Sequence, residues 1–125
     1  MSYVLITDDE PDAREIMQRR LEHEGYKTRT AANGRDALAL LSHSSPDAVI
    51  LDVRMPQMDG LELLEVMRSY LRWYETPVIL VTAHASNDQE ERARELGVQR
   101  VFRKSQFRLN DLVECLKDIA PANMH

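Results

Sequence analysis

The sequence predicts an α/β fold in which a parallel five-stranded sheet carries helices on both faces. Two observations predict it. Four apolar runs, Val4-Leu5-Ile6, Ala48-Val49-Ile50-Leu51, Val78-Ile79-Leu80-Val81 and Val101-Phe102, are continuous rather than alternating, as strands buried on both faces are. Segments with helical spacing of apolar residues separate them. A third regularity concerns chemistry. Each run leads into residues able to handle metal or phosphate: Asp8-Asp9-Glu10, Asp52, Thr82 and Lys104. In parallel sheets ligands bind beyond the carboxyl ends of the strands, so these residues should converge.

After the first strand, Pro11 to Glu24 places Ala13, Ile16, Met17 and Leu21 on one helical face, and Gly25 is the expected C-cap. A weaker strand spans Tyr26 to Ala32. Asn33-Gly34 opens a second helix through Ala37, Leu38, Leu40 and Leu41, which Ser44-Ser45-Pro46 ends. Asp52 leads into an irregular loop, Met55-Pro56-Gln57-Met58-Asp59-Gly60. A third helix then carries Leu61, Leu64 and Met67 or Leu71. Pro77 opens the next strand, where its missing N–H does least harm. Ser86 to Leu96 reads as a polar fourth helix with Ala93 and Leu96 as its few apolar positions, ended by Gly97. Leu109, Leu112, Val113, Leu116, Ile119 and Ala120 mark a fifth. Strand and helix thus alternate five times. Right-handed crossovers leave two strand orders open, of which 2-1-3-4-5 sets the first and third strands side by side. Asp8, Asp9 and Asp52 would meet at that switch point.

The bulk properties exclude several classes. At 125 residues the chain suits one domain, and 43% hydrophobic residues fit a packed core rather than disorder. No apolar stretch approaches the roughly 20 residues that span a bilayer, and Met1-Ser2-Tyr3 does not begin a signal peptide. A lone cysteine, Cys115, fits a reducing cytoplasm. A net charge of −5, with no basic stripe, argues against nucleic acid as a partner of this domain.

Two ionised carboxylates about 4 Å apart repel by roughly 4 kcal/mol at an effective dielectric of ~20, so three of them call for a cation. Oxygen-only ligands suit Mg²⁺. Asp9 and Asp52 are the expected direct ligands, Asp8 would hold a metal-bound water, and a backbone carbonyl near Arg54 would add an oxygen. Taken alone, Asp8-Asp9-Glu10 reads equally as a set of helix-capping acids. Asp52 is the candidate nucleophile, able to form an aspartyl phosphate. Thr82 would donate its hydroxyl to one phosphoryl oxygen and Lys104 would pair with another. In isolation each of these two is an ordinary strand-end threonine or surface lysine. The glycines Gly25, Gly34, Gly60 and Gly97 form no phosphate loop, so nucleotide is not the expected donor.

At these residues the chain resembles the receiver domain of bacterial two-component response regulators, of the single-domain, chemotaxis-regulator-like kind. The resemblance rests on Val4 to Pro11, Asp47 to Gly60, Thr82-Ala83 and Lys104, with Leu51 to Gly60 the most specific part. It implies a flavodoxin-like (βα)5 sandwich with strand order 2-1-3-4-5. It implies that Asp52 takes a phosphoryl group from a histidine kinase or phosphotransfer protein. It further implies Mg²⁺ at Asp8, Asp9, Asp52 and the Arg54 carbonyl, and a phosphorylation-dependent repositioning of Thr82 that remodels the face built from the fourth helix, fifth strand and fifth helix and changes binding to a downstream protein. Residues 1–125 are then one receiver domain without an effector domain, self-phosphorylating rather than an enzyme, and cytoplasmic. The tail Pro121-Ala122-Asn123-Met124-His125 suits either an end or the start of a linker.

The chain departs from the family pattern in several places. Ser105 replaces the usual proline after Lys104, and a trans Lys104–Ser105 bond is expected because a non-proline cis bond costs ~3–4 kcal/mol. Val101 stands where an aromatic switch residue is common, and alternation points Phe102 to the other face. Arg54 is expected to lie across the pocket entrance, pair with Glu10 or the phosphoryl oxygens, and prolong the acyl phosphate. His84 is expected on the solvated rim. Ser69 to Glu75 clusters Tyr70, Trp73 and Tyr74, read as a helix end packing its own aromatics. Arg14, Glu15, Gln18, Arg19 and Glu22 form a candidate kinase-docking face. A phosphatase of the haloacid dehalogenase type would need an acid where Arg54 stands, and a flavodoxin's phosphate would be repelled by Asp8-Asp9-Glu10.

Overall fold

The computed structural model describes residues 2–122, so residues 123–125 of the tail lie outside it. Among these residues five strands alternate with five helices: β1 Val4–Thr7, α1 Pro11–His23, β2 Thr28–Ala31, α2 Gly34–His43, β3 Ala48–Leu51, α3 Gly60–Ser69, β4 Val78–Thr82, α4 Asn87–Glu95, β5 Arg100–Arg103 and α5 Leu109–Ile119. The sheet is parallel throughout in the order β2-β1-β3-β4-β5. It is the expected flavodoxin-like arrangement, with β1 beside β3.

Strand alternation divides the core in two. Val4, Ile6, Ala48, Ile50, Ile79, Val81 and Phe102 face α1 and α5, meeting Met17, Leu21, Leu112 and Leu116. Leu5, Val49, Leu51 and Leu80 face the other helices, meeting Ala37, Leu41, Leu63, Leu64, Met67 and Ala93. Every residue of β1, β3 and β4 is buried, and each Leu or Ile among them contributes about 1.5–3 kcal/mol through burial. No helix among the described residues is long and apolar enough to cross a membrane.

The structure redraws some elements. β2 is shorter than the Tyr26–Ala32 pattern and only partly buried, as an edge strand is. Ile16 is 54% exposed although its spacing placed it inward. α3 buries Leu63, Leu64 and Met67 and stops at Ser69, which leaves Leu71 95% exposed. Arg68 organises the chain beyond the stop. Its Nη1 donates to the carbonyls of Trp73, Tyr74 and Thr76, and its Nε donates to that of Leu96, so the chain wraps round the guanidinium. Within that turn Trp73 is buried with the edge of Tyr70 against it at 5.4 Å, while Tyr70 and Tyr74 remain exposed.

Two glycines fix the loop between β3 and α3. The Gly60 N–H donates to the Val53 carbonyl at 2.9 Å, and a Cβ at Gly60 would stand 2.1 Å from the Asp52 carbonyl oxygen. The Gly34 N–H donates to the Met58 carbonyl at 3.0 Å, and a Cβ there would meet that oxygen at 2.2 Å. Asp59 and Glu62 complete a capping box that starts α3. The loop therefore lies pressed between the end of β3 and the start of α2. Gly60→Ala is expected to destabilise the fold by about 3 kcal/mol or more, because backbone rather than a flexible side chain must yield. Urea unfolding measures this; a wild-type midpoint would show that the close approach is not needed.

Candidate functional site

The carboxyl edge of the sheet sets the site. Asp8 follows β1 and Asp52 follows β3, and backbone bonds from Asp8 N–H to the Ala31 carbonyl (3.1 Å) and from Asp52 N–H to the Thr7 carbonyl (3.1 Å) continue the ladder through both. Each carboxylate is thereby held in the sheet's own geometry, Asp8 only 1% and Asp52 4% exposed. Asp9 is exposed at the lip. One carboxylate oxygen from each of the three lies within 4.8 Å of the others. The three acids that the sequence reading set at one switch point therefore do lie together.

Lys104 supplies the counter-charge. Its backbone N–H donates to the Thr82 carbonyl at 2.9 Å. Its Nζ stands 2.7 Å from Asp8 Oδ2, 3.0 Å from Glu10 Oε1 and 3.0 Å from Asp52 Oδ2. Burial alone would lower its pKa, but bonding to Asp8, Asp52 and Glu10 outweighs that and raises it above the ordinary lysine value. Asp8 is shifted upward, chiefly by burial and against the pull of Lys104. The Lys104 contact is close but poorly aligned, and Asp8 Oδ2 has no hydrogen-bond partner although buried. Asp8 Oδ1 accepts from the Glu10 N–H at 2.9 Å. Glu10 is the N-cap of α1 without a side-chain cap bond, so helix capping does not account for this acidic run. A buried carboxylate oxygen with only a poorly aligned lysine contact, facing two further acids, fits a hard divalent cation held by oxygen ligands.

Thr82 and Arg54 take resting partners. The Thr82 hydroxyl donates to the His84 carbonyl at 3.0 Å. The Arg54 backbone N–H donates to Asp52 Oδ1 at 3.3 Å. The Arg54 side chain is exposed and lines an open cleft with Asp9, Pro56, Asp59 and Gln89. The expected Arg54–Glu10 pair is not formed, because Glu10 is taken by Lys104. Glu10 was expected at the site, but its partner is Lys104. It belongs to the acidic run, but only the path of the chain after β5 shows which cation it meets.

Among the described residues no peptide bond is cis, so Lys104–Ser105 is trans as expected. The turn closes by N–H bonds from Gln106 and Phe107 to the Arg103 carbonyl. Phe102 lies on the α1/α5 face with Phe107 5.7 Å away, and Val101 packs on the opposite face, also as expected. His84 is exposed.

Comparison with known proteins places this geometry. A family model described as the response regulator receiver domain matches residues 4–117. Regulatory protein AtoC of Escherichia coli is 42% identical over 94 residues, 75% of this chain and 20% of that protein, so the chain spans about a fifth of its length. Sporulation initiation phosphotransferase F of Bacillus subtilis is 34% identical over 118 residues, 94% of this chain and 93% of that one. The solved structure of chemotaxis response regulator CheY4 of Vibrio cholerae superposes with a TM-score of 0.85 at 30% identity, over 95% of this chain and 98% of that one.

The crowding of acids has a consequence for stability. Asp8 holds its proton more tightly folded than unfolded, so its contribution is most favourable below the unfolded pKa and declines as pH rises through the folded one. At neutral pH its ionised form works against folding when no cation is bound. Asp8→Asn is therefore expected to raise the stability of the metal-free protein by about 1 kcal/mol. A lower urea midpoint at neutral pH in chelator would contradict the charge argument.

Proposed function

The chain belongs to the response regulator receiver domain family of two-component signalling, and on that premise we propose that Asp52 is its phosphoacceptor. The observation that carries the reading is the meeting of three acids with Lys104, whose Nζ is 3.0 Å from Asp52 Oδ2. An Asp52 oxygen attacks the phosphorus of a phosphohistidine on a histidine kinase or phosphotransfer protein. The P–O bond forms, the P–N bond breaks, and the imidazole leaves and takes up a proton. Asp8, Asp9, Asp52 and the Arg54 backbone carbonyl are the proposed oxygen donors for Mg²⁺. When bound, Mg²⁺ offsets negative charge on the transferring phosphoryl oxygens.

Lys104 is positioned for a second partner. Its ammonium already touches the acceptor carboxylate, so a phosphoryl group added there falls within its reach. Thr82 acts by exchange: its hydroxyl leaves the His84 carbonyl to donate to a phosphoryl oxygen, and that bond reports phosphorylation to the chain beyond β4. Arg54, at the open side of the cleft, shields the acyl phosphate from water. The donor docks over α1. There Arg14 is tied to the Asp8 carbonyl at 2.7 Å, Gln18 is bonded to Thr28, and Glu22 accepts from Thr28. This leaves exposed Ile16 and the Glu15–Arg19 pair facing outward. Residues 1–125 act as one self-phosphorylating receiver domain in the cytoplasm. Its partners are proteins rather than nucleic acid or membrane, in keeping with a charge of −5.

Incubation with acetyl phosphate and Mg²⁺ is expected to place one base-labile phosphoryl group on the wild type and none on Asp52→Asn, read by intact mass. Asp9→Asn should weaken Mg²⁺ binding and abolish the labelling with it. Labelling of Asp52→Asn, or none on the wild type, would sink the assignment. In the same assay Arg54→Ala is expected to shorten the phosphoryl lifetime several-fold. An unchanged decay rate would remove Arg54 from the mechanism.

A further inference from the structure

We propose that an ion pair between Glu90 and Arg103 is the latch that docks α4 on β5, and that its release is how α4 responds to events at Asp52. The second half rests on the phosphoacceptor reading; the first does not.

α4 is an unusual helix in this fold. α3 buries Leu63, Leu64 and Met67, and α5 buries Leu112, Val113, Cys115 and Leu116. α4 buries two residues, Ala93 and Glu90, and Glu90 is only 6% exposed. A methyl group and a carboxylate are a poor apolar anchor. A carboxylate withdrawn from water without a partner opposes folding, so this helix can sit here only if Glu90 is neutralised. Arg103 on β5 does this through the other carboxylate oxygen, and Arg94 lies 3.4 Å from Glu90 Oε1 on the same helix. Of the two, Arg103 alone ties the helix to the sheet.

The remaining ties of α4 are at its other end. Arg68 donates to the Leu96 carbonyl at 2.7 Å, and Arg92 pairs with Glu65 of α3 at 3.4 Å. The C-terminal half is thus pinned to α3, and the N-terminal half depends on Glu90–Arg103. Both sides of the latch connect to the site by short backbone paths. Arg103 is the register partner of Thr82 and precedes Lys104, whose N–H donates to the Thr82 carbonyl. His84, whose carbonyl holds the Thr82 hydroxyl, lies two residues before Ser86, the N-cap of α4. A shift of Thr82 and Lys104 toward a new phosphoryl group therefore pulls on both halves of the ion pair. Val101 is on the same face of β5 as Arg103 by strand alternation. Where a ring could report the site, this chain presents a small aliphatic residue beside a charge pair.

Hydrogen exchange on the full chain tests the latch. In the resting protein, Glu90→Gln and Arg103→Gln are each expected to lower protection of the α4 amides roughly tenfold while α5 amides stay unchanged. The double variant should be no worse than either single, because one interaction is lost in all three. Unchanged α4 protection, additive losses, or an equal loss across the sheet would overturn the latch. Arg103→Gln alters a half-exposed side chain, so it keeps the test open if Glu90→Gln does not fold. After acetyl phosphate and Mg²⁺, with the phosphoryl group verified by intact mass, wild-type α4 protection should fall to the level of resting Glu90→Gln, and the variant should fall no further. A phosphorylated wild type with unchanged α4, or a variant that falls as far again, would overturn the coupling. Failure of Asp52 to accept phosphate would count against the proposed function and leave the resting comparison to judge the latch.

Discussion

The Lys104 ammonium reaches from the end of β5 to the ends of β1 and β3, past β4, and rests among Asp8, Glu10 and Asp52. Much of the carboxyl edge depends on that contact. β1 and β3 are buried on both faces, so the residues that follow them are drawn into low-dielectric surroundings, and two of these residues are acids. Without a cation between them, their mutual repulsion at about 4 Å would approach 4 kcal/mol at an effective dielectric of ~20. One lysine relieves three acids at once and ties the last strand to the first and third. The backbone bond from Lys104 to the Thr82 carbonyl then holds the end of β4 inside the same arrangement.

The supports on the two sides of this edge differ in kind. Toward α3, the loop after Asp52 is fixed by backbone: Gly60 and Gly34 permit approaches that no side chain would allow, and a capping box starts the helix. Toward α4, the attachment is one buried alanine, a partly buried Leu96 at its end, one ion pair and hydrogen bonds at the far end. Apolar packing and close backbone contacts resist small displacements. A single ion pair gives way more readily, because water reaches its half-exposed Arg103 side. Asp52, the proposed acceptor, is thus mounted on the stiff side, and the element next to Thr82 is mounted on the compliant one.

These differences explain which features were legible in the sequence. β1, β3 and β4 stood out because burial on both faces demands unbroken apolar runs, and their ends located Asp8, Asp9, Asp52 and Thr82. β2 blurred because an edge strand mixes polar and apolar residues, and its limits contracted to Thr28–Ala31. The end of α3 was ambiguous because Leu71 continues the helical spacing, while the chain beyond the stop is organised by Arg68 bonding to carbonyls in two later turns. Glu90 looked like one more solvated charge on a polar helix. Its burial follows from Arg103 on a neighbouring strand, and no spacing along the chain encodes that pairing. Glu10 reached Lys104 for the same reason. Local pattern fixes what an element buries, whereas pairings across elements wait on topology.

The charge balance at the edge joins these points. Asp8, Asp9, Glu10 and Asp52 outnumber the single ammonium beside them, so the resting site remains anionic, and buried Asp8 Oδ2 has only its poorly aligned contact with that ammonium. Such a site favours a divalent cation before it favours a phosphoryl group. On the proposed reading, a second cation shared by the acids would weaken the hold of Asp8 on Lys104, and the ammonium would be freer to follow new negative charge on Asp52. Lys104 cannot follow it without moving the backbone that begins at Arg103. On the proposed reading, the same charge that makes the acids tolerable at rest is therefore the mechanical link from Asp52 to β5, and from β5 through Glu90 to the helix that apolar packing holds least.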